Sequence, residues 1–567
     1  MSLGDLFQRA VARGEELVFR ARLDPYPARV ARVARVARKI DVLGEVHPLA
    51  GPSLARLALR AGLSVRTVHA IHALHTPERP ALVDARGVRT YAEVDRAINR
   101  AAHAFRDELG IQRGDAMALA AENCAEYIIA WFALMRIGAR AVHASYRSQP
   151  AELEYLATHA GLRAILVSEA SLDAASQVAA AHGWLRVVAV GERAGAAVRF
   201  DDLLARARSS DLPEVPARHA GGESIVYTSG TTGKPKGAVR DFARFGVIEG
   251  ARLLERLPFR IGDRHLVVTP LYHSGAQAVA LINAALGATI HLHRHFEPDA
   301  TLEALSRSRI HSVFLVPTMI RRLVELPAEL RARMPTPELR ALVSGASEFP
   351  EALRREAIAM FGAPVVHDFY GATELGWVTL INGSEMLART GSVGRPLPGQ
   401  AVAIFDRQGR ELPLGETGLV YVRNEQTMSG YLGDAAATEE TRRGPWVTVE
   451  DLGRVDADGY LYISGRERDM VKSGGVNLYP VEIEEVIARH PSVRDVAVIG
   501  LPDPEWGERL AAVVVPRGEL DPSDVERFAR TLLSSVKVPK EWHVVDEIPR
   551  NPTGKTLKRE LRARYSK

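Results

Sequence analysis

The sequence predicts an α/β protein: a large N-terminal domain of layered α/β sheets with a small β unit, followed by a small α+β C-terminal domain. Two observations predict this class. Apolar, β-branched runs alternate with Ala-, Leu- and Arg-rich stretches of helical period from about residue 80 to residue 466, which is typical of helices covering mainly parallel sheets. Beyond residue 467, a shorter segment has its own alternation of strand and helix patterns.

The first elements are predicted from "RPALVDARGVRTYAEVDRAINRAAHAF", which indicates two short strands between Pro80 and Thr90 and then a helix. Further strands are predicted at "AILVSE", "LRVVAVG", "HLVVTP", "HSVFLVP" and "LRALVSG". The stretch from Gly391 to Arg423 is rich in Gly, Pro and Asp and predicts the small β unit with tight turns. We therefore expect a basic helical extension at 1–79, the large domain at 80–467 and the C-terminal domain at 468–567.

The composition is that of a globular protein. Of the 567 residues, 46% are apolar and 25% are charged, which excludes disordered and fibrous classes. The longest strongly apolar stretch, "YIIAWFALM" from Tyr127, is about half the length of a membrane span, and the N-terminus has acidic residues where a signal peptide needs an apolar core. We therefore expect a cytoplasmic protein. The single cysteine, Cys124, excludes an internal disulfide and a cysteine-based metal cluster and is expected to be an unreactive core thiol.

Residues 1–79 carry the basic excess of the chain, with 13 Lys and Arg against 7 Asp and Glu. Within them, "ARVARVARVARK" places an arginine at every third position from Arg29 to Arg38, which predicts a helix with a thin Val/Ala face beside an arginine face. Two interpretations follow: a helix packed on the main domain, or peripheral attachment to anionic lipid. Binding to nucleic acid is disfavoured, because no aromatic residues interleave with the arginines.

The stretch "YTSGTTGKPKGA", residues 227–238, combines hydroxyls, glycines and lysines in one short loop. Glycine tolerates positive φ and lets backbone N–H groups converge, hydroxyls donate hydrogen bonds, and lysine supplies charge. The loop is therefore predicted to hold phosphate. It is not an ordinary P-loop, because Pro235 and Ala238 occupy the possible positions of the second glycine, and the later "PTGKT" has Pro549 in place of the first.

Six further motifs follow this loop in order: "PLYHSG" (270–275), "VSGAS" (343–347), "YGATE" (370–374), "GSVGRPLPG" (391–399), a long stretch at 450–484 and "PTGK" (552–555). The ordered set resembles the acyl-adenylate-forming superfamily of acyl-CoA synthetases, peptide-synthetase adenylation domains and beetle luciferases. The resemblance covers about residue 80 to the C-terminus and leaves 1–79 outside. It implies that a carboxylate attacks the α-phosphate of ATP and that a thiol then displaces AMP.

The resemblance implies a role for each motif on the phosphate side. The loop cradles the β- and γ-phosphates, and its residues are Thr228, Ser229, Gly230, Thr231 and Thr232, with Lys236 adding charge. Glu374 matches the magnesium ligand, since Mg²⁺ prefers carboxylate oxygen, and Thr373 is expected to contact the α-phosphate. His273 occupies the position lining the carboxylate pocket, where a direct role and a buried structural role both stay open.

The nucleoside side is implied in the same way. Tyr370 supplies a face for adenine stacking, and Gly345 and Ala346 let the backbone approach the ring. Asp368 stands where similar proteins place a residue near the adenine amino group. Asp451 matches the carboxylate that accepts hydrogen bonds from the ribose hydroxyls, and Arg466 is its cationic neighbour.

Lys555 resembles a lysine that bridges the substrate carboxylate and the α-phosphate, which offsets the repulsion between two anions. Similar enzymes then rotate a mobile C-terminal domain about a hinge, here Arg468, so that the loop at Gly475 reaches the tunnel for the pantetheine thiol. The sequence departs from the family pattern at Val449 and Glu450, at 550–552 and at the hinge. These departures concern thiol delivery more than adenylation.

The leading prediction is an ATP-dependent acyl-CoA synthetase for a fatty or similarly hydrophobic acid, with ATP, Mg²⁺ and CoA as cofactors and with Lys555, Thr228, Glu374 and His273 as candidate catalytic residues. Small residues such as Gly275 leave room for an alkyl chain, and a chain that ends soon after Lys555 favours free CoA as acceptor. Two alternatives stay open. One is an acyl-AMP ligase that loads a separate carrier protein, and the other is a non-catalytic lipid-binding or scaffold member.

Overall fold

The computed structural model describes residues 26–39, 53, 56–57, 64–211, 213, 222–228, 235–242, 247–474, 476–551 and 554–566. The chain divides into two compact units. The first comprises Met1–Phe314, Leu326–Leu342 and Asn424–Glu440, and the second comprises Leu315–Glu325, Val343–Arg423 and Thr441–Lys567.

The α-helices in the described residues are, in chain order, α1 (Tyr26–Lys39), α2 (Val68–His75), α3 (Tyr91–Asp107), α4 (Ala125–Ile137), α5 (Pro150–Ala160), α6 (Glu169–Ala181), α7 (Phe200–Arg206), α8 (Val247–Arg256), α9 (Ser274–Ala285), α10 (Pro298–Arg307), α11 (Pro317–Val324), α12 (Ala328–Arg333), α13 (Glu351–Phe361), α14 (Gly383–Ala388), α15 (Ala435–Glu440), α16 (Pro480–Ile487), α17 (Pro522–Leu532) and α18 (Lys558–Tyr565).

The strands in the same residues are β1 (Pro80–Asp84), β2 (Gly87–Thr90), β3 (Ala116–Ala120), β4 (Arg140–His143), β5 (Leu162–Val167), β6 (Arg186–Ala189), β7 (Val198–Arg199), β8 (Ser224–Thr228), β9 (Lys236–Arg240), β10 (Arg264–Val267), β11 (Thr289–Leu292), β12 (Ser312–Leu315), β13 (Ala341–Ser344), β14 (Val366–Ala372), β15 (Gly376–Asn382), β16 (Ser392–Pro396), β17 (Ala401–Phe405), β18 (Gly418–Arg423), β19 (Gly430–Tyr431), β20 (Arg442–Arg443), β21 (Trp446–Val447), β22 (Asp451–Val455), β23 (Leu461–Arg466), β24 (Val471–Ser473), β25 (Val476–Leu478), β26 (Val493–Asp503), β27 (Gly507–Pro516) and β28 (Glu541–Val544).

The first unit is built on two sheets. One has the strand order β19-β9-β8-β4-β3-β5-β6-β7 and is parallel from β8 to β7. In the other, β1, β11, β10 and β12 run parallel, and β2 pairs antiparallel with β1. The predicted α/β class with mainly parallel sheets is therefore confirmed. The predicted start is confirmed too, since β1 and β2 are followed directly by α3.

Helix α4 contains the longest apolar run of the sequence and is buried along its whole length. It ends at Gly138 with φ 73°, the left-handed conformation that suits a helix C-terminus. Cys124 is its N-cap, and burial, with Glu126 next, raises the pKa of that thiol far above its ordinary value, as expected of an unreactive cysteine. No helix in the described part of the chain is both long and apolar enough to span a bilayer.

The second unit also contains two sheets. The strands β14-β15-β16-β23-β22-β18-β21-β20 follow one another in the first, and β17 pairs with β18. The pairings between these strands are antiparallel, and some of them, such as β14 with β15 and β22 with β23, join strands connected by short turns. The predicted small β unit at 391–423 is confirmed by β16, β17 and β18 in this sheet.

The C-terminal part of this unit is a sheet covered on both faces. A long antiparallel hairpin, β26 and β27, forms its centre, and β24 and β28 pair with β27. Successive side chains of a strand point to opposite faces. Val498 therefore packs with residues of α16 and α17, while Ile499 packs with Leu561 of α18.

In the first unit, α1 packs against α8 through charged groups. Both oxygens of Glu255 are bound, with Arg32 Nε at 2.6 Å and Arg35 Nη2 at 2.6 Å. Lys39 Nζ donates to the carbonyl oxygens of Leu254 at 2.7 Å and Leu257 at 2.8 Å. These contacts support the packed interpretation of the basic segment.

Candidate active site

Three strands of the second unit, β14, β22 and β23, hold a polar cluster. Asp451 begins β22, Arg466 ends β23, and the two are cross-strand partners. Tyr370 Oη donates to Asp451 Oδ2 at 2.7 Å, and Arg466 Nε lies 3.2 Å from Asp451 Oδ1. Burial, followed by the charge of Asp451, raises the pKa of Tyr370 well above its ordinary value, so the phenol stays protonated and donates. The carboxylate is thereby fixed, and each oxygen keeps a lone pair for a ligand hydroxyl.

Asp368 lies two residues before Tyr370 on β14, and its side chain points to the same face of the strand. Its Oδ2 accepts from Arg354 Nη2 at 3.1 Å, whereas its Oδ1 is buried without a hydrogen-bond partner. Burial raises the pKa of Asp368 to about 6 against the opposing effect of Arg354. A buried acceptor without a donor is costly, so this oxygen suits a ligand N–H such as the predicted adenine amino group.

The backbone beside these residues is strained at two points. Among the described residues, Ala346 (φ 70°) and Glu450 (φ 63°) are two of the three non-glycine residues with positive φ. Such conformations cost free energy and cluster at functional sites. A Cβ on Gly345 would lie 2.4 Å from the Phe369 ring, and that ring stacks on Trp377 with centroids 4.2 Å apart. Glycine at position 345 is therefore required by close packing against Phe369.

Lys555 lies at a cavity of about 330 Å³ whose lining also includes Ala346, Asp368, Tyr370, Asp451 and Arg466. The residue is exposed at this cavity, although protein atoms surround its ammonium group. This desolvation, with Arg466 next, lowers the pKa of Lys555 to about 8, while Asp451 and Glu374 oppose the shift. Residues predicted from motifs more than 200 positions apart are thus brought together in one unit.

Glu374 is 8% exposed and acts electrostatically on both Arg466 and Lys555. No group of three or more His, Cys, Asp or Glu able to hold a metal occurs among the described residues. A single carboxylate nevertheless fits Mg²⁺, which is commonly bound by one or two carboxylates together with substrate phosphates and water. Glu374 is therefore compatible with its predicted role, as is its neighbour Thr373.

The remaining described site residues belong to the first unit. Thr228 and Lys236 are cross-strand partners of β8 and β9, on either side of the predicted phosphate loop. Lys236 Nζ lies 5.3 Å from the centroid of the Tyr431 ring. His273 is the N-cap residue of α9 and packs on Tyr272, with ring centroids 4.1 Å apart. These placements are consistent with the predictions and assign no ligand by themselves.

Some predicted residues cannot be placed. Ser229, Gly230, Thr231, Thr232 and Gly475 lie outside the described residues, so their roles stay predictions.

The site also contains a residue that sequence reasoning missed. Arg354 of α13 is buried and links Asp368 to the carbonyl oxygen of Ser392 through Nη1 at 2.8 Å. Arginines are frequent in this chain, and nothing in the local pattern of α13 marks one whose partners lie on other elements.

Two family models match the chain. The model for AMP-binding enzymes matches residues 70–432, and the model for the AMP-binding enzyme C-terminal domain matches residues 482–555. Helix α1 lies outside both matches. The two matched ranges contain every predicted site residue except Asp451, Arg466 and Gly475, which lie between them.

Individual relatives match most of the chain. Feruloyl-CoA synthase of an Amycolatopsis species and long-chain-fatty-acid–CoA ligase FadD13 of Mycobacterium tuberculosis are each 32% identical over 84% of this chain and over 94% and 93% of those proteins. Fatty acid–[acyl-carrier-protein] ligase ScoC of Streptomyces coeruleorubidus is 32% identical over 86% of this chain and 94% of that protein. The structure of ATP-bound MatB from Rhodopseudomonas palustris matches with a TM-score of 0.79 and 28% identity, over 89% of this chain and 99% of that one.

Proposed function

Because this chain belongs to the family of AMP-binding enzymes, we propose that it is an ATP-dependent acyl-CoA synthetase. It activates a carboxylic acid as acyl-AMP and transfers the acyl group to CoA, with release of AMP and pyrophosphate. The observation that carries this proposal is the position of Lys555 at one cavity with Asp451, Arg466, Tyr370 and Asp368. A mobile cation beside groups suited to a nucleoside is what the condensation of two anions requires.

In this proposal, each site residue of the second unit has a separate role. Asp368 accepts a hydrogen bond from the adenine amino group, Tyr370 supplies a stacking face, and Asp451 accepts from the ribose hydroxyls. Lys555 lies between the substrate carboxylate and the α-phosphate and reduces their repulsion. Bound Mg²⁺ neutralises phosphate charge, and Glu374 is the residue that would hold it.

The predicted phosphate loop and its neighbours have separate roles in this proposal. Thr228 and the adjoining loop at 229–232 donate to the β- and γ-phosphates, and Lys236 adds charge. His273 lines the site of the carboxylate. The chain is divided into an extension at 1–79, an adenylate-forming domain at 80–467 and a mobile domain at 468–567, with Arg468 as hinge.

A fatty or similarly hydrophobic acid is the proposed substrate. The similarity to FadD13 supports it, while the equal similarity to feruloyl-CoA synthase makes an aromatic acid the competing choice. A second candidate function is transfer of the acyl group to a carrier protein, which the similarity to ScoC favours. We place the enzyme in the cytoplasm, where ATP and CoA are available. The ion pairs of α1 with Glu255 support a packed role for the basic segment over attachment to lipid.

The proposal is tested by measuring AMP release from the purified protein with a panel of acids. The panel contains fatty acids of increasing length and substituted cinnamic and benzoic acids, each with CoA, with a phosphopantetheinylated acyl carrier protein, or with no acceptor. We expect release that depends on both acid and CoA, together with an acyl-CoA product seen by mass spectrometry. Lys555→Ala should abolish most of this AMP release. Lys540→Ala, which removes an exposed lysine over the Trp506 ring, should leave the release unchanged.

The alternatives give different results. Acylation of the carrier protein without acyl-CoA formation would establish the second candidate function. Absence of acid-dependent AMP release with every acid would contradict both and favour a non-catalytic member of the family.

A further inference from the structure

The turn that presents Lys555 is closed by hydrogen bonds among its described residues. Asn551 N donates to Lys555 O at 2.9 Å, Lys555 N donates back to Asn551 Oδ1 at 2.9 Å, and Gly554 N donates to Asn551 O at 2.8 Å. Gly554 has φ 80°, which suits glycine. These hydrogen bonds lie within the turn and do not themselves link it to the central strands of the C-terminal sheet.

Arg550 connects this turn to the sheet. Its Nη1 donates to Gly554 O at 2.7 Å, and its Nη2 donates to both carboxylate oxygens of Asp495 at 3.0 and 2.8 Å. Asp495 lies near the start of β26 and is paired with Val515 of β27. The Arg550 guanidinium therefore links Gly554, which precedes Lys555, to β26 at the centre of the sheet.

The position of the turn matters because charges of both signs act on Lys555. Besides desolvation, Arg466 and Arg468 disfavour its charged form, while Asp451 and Glu374 favour it. Coulomb energies change steeply at short range, and a misplacement of about 1 Å can lower a rate by about 100-fold. A lysine on a long, flexible stem depends on a fixed backbone to reach one place.

We propose that Arg550, held by Asp495, is a positioning residue that sets the place of the Lys555 turn and so serves the adenylation half-reaction only. The inference rests on the proposed function. Asp495, Arg550 and Lys555 belong to the same C-terminal segment, so the contact accompanies the lysine through any rotation of that segment. Its loss should therefore leave thioester formation from preformed acyl-AMP intact.

The same sheet offers a matched control. Arg509 donates to Glu541 Oε2 through Nε at 3.0 Å and Nη2 at 2.8 Å, with side-chain exposures of 30% and 31%. The Arg550 and Asp495 side chains are similarly 26% and 20% exposed. Arg509 joins β27 to β28 and lies away from the turn in sequence. A loss of ion-pair stability alone would affect both pairs alike.

The experiment measures the two half-reactions separately in the full-length protein. Adenylation is measured as ATP–pyrophosphate exchange with the acid that is active in the AMP-release assay. Thioester formation is measured by supplying acyl-AMP and CoA. Arg550→Ala should lower adenylation by about 10- to 100-fold and Asp495→Asn by a smaller factor. Arg509→Ala should leave adenylation unchanged, and thioester formation should persist in all three.

Two further variants separate positioning from a direct charge effect. Arg550→Lys keeps the charge but cannot span both partners with a fixed fork, so it should remain impaired. In the background of Lys555→Ala, Arg550→Ala should have no additional effect, because residues that act through one another are not additive.

Several outcomes would overturn the inference. Full adenylation in a folded Arg550→Ala protein, rescue by Arg550→Lys, additive losses in the double variant, or an equal fall of both half-reactions would each do so. If the unmodified protein shows no acid-dependent exchange, the proposed function fails instead, which distinguishes the two failures.

Discussion

At the scale of single residues, Lys555 is the group on which the proposed chemistry depends most. It lies at the cavity with Asp451 and Arg466 although it is distant from both in sequence. Desolvation lowers its pKa to about 8, so the amine stays mostly protonated at neutral pH and loses its proton in alkaline solution. Two predictions follow at this scale.

Lys555→Ala should lower acyl-adenylate formation by about 100-fold or more, a typical loss for one preorganised charge. Conversion of supplied acyl-AMP and CoA to thioester should persist, because the lysine acts on the carboxylate and α-phosphate only. Pyrophosphate exchange and thioester formation measure the two steps. A parallel fall in both, in a protein of normal thermal stability, would mean that the lysine is structural.

Adenylation should also weaken in alkaline solution. The lysine acts as a cation, and with a pKa lowered to about 8 it loses its proton as the pH rises through that value. The pH profile of kcat/KM for ATP, which reports the free enzyme, should therefore fall above about pH 8. Residual exchange in Lys555→Ala should lack this fall. A wild-type profile that is flat up to pH 10 would contradict the assignment.

Among the secondary-structure elements, helix α1 shows that equivalent arginines of a sequence repeat can have different surroundings in the fold. The arginines recur every three residues, yet they have different surroundings: Arg32 is buried with Val36 against α8, and Arg35 is exposed. Glu255 binds both of the arginines, and hydrogen bonds from them lower its pKa although desolvation acts in the opposite direction. These ion pairs, together with the hydrogen bonds from Lys39 to the carbonyl oxygens of Leu254 and Leu257, link α1 to α8 and to the residue after it.

Glu255→Gln should loosen α1, because it removes the partner of two cations. A partly exposed ion pair contributes up to about 1 kcal/mol, so we expect faster hydrogen exchange in 26–39 with little change elsewhere. Glu303→Gln, which removes an exposed ion pair within α10, is the control. High salt should have a similar effect on the unmodified protein. Unchanged exchange in 26–39 would show that apolar contacts hold the helix.

At the scale of the whole molecule, the proposed mechanism needs the C-terminal segment to occupy two positions. In the proposed mechanism, the described arrangement within the second unit serves adenylation, because Lys555 lines the cavity. It is supported by a hydrogen bond from Arg321 Nη1 of α11 to Arg494 O at 2.7 Å. The proposed hinge, Arg468, lies in a 3₁₀ turn at Glu467–Asp469.

Arg468→Pro should therefore hold the enzyme in its adenylating arrangement. Proline fixes φ near −65°, which suits a 3₁₀ turn but resists rotation of the backbone. Adenylation should persist, and thioester formation should fall by at least about 10-fold. Arg468→Ala keeps the backbone free and should retain both steps. Equal loss of both steps in a folded Arg468→Pro protein would reject Arg468 as the hinge.

The fold class and the family could be predicted from the sequence, because alternating apolar patterns and short ordered motifs are local in the chain. Asp451, Glu374 and Lys555 each lie within such a motif and could be predicted in the same way. The pairing of polar groups could not be predicted, and it became visible in the folded structure. The structure showed Arg354 on Asp368, Arg550 on Asp495 and two arginines of α1 on Glu255. Ion pairs depend on distances between side chains that are far apart in sequence, and an arginine-rich chain offers many equivalent candidates for each acid.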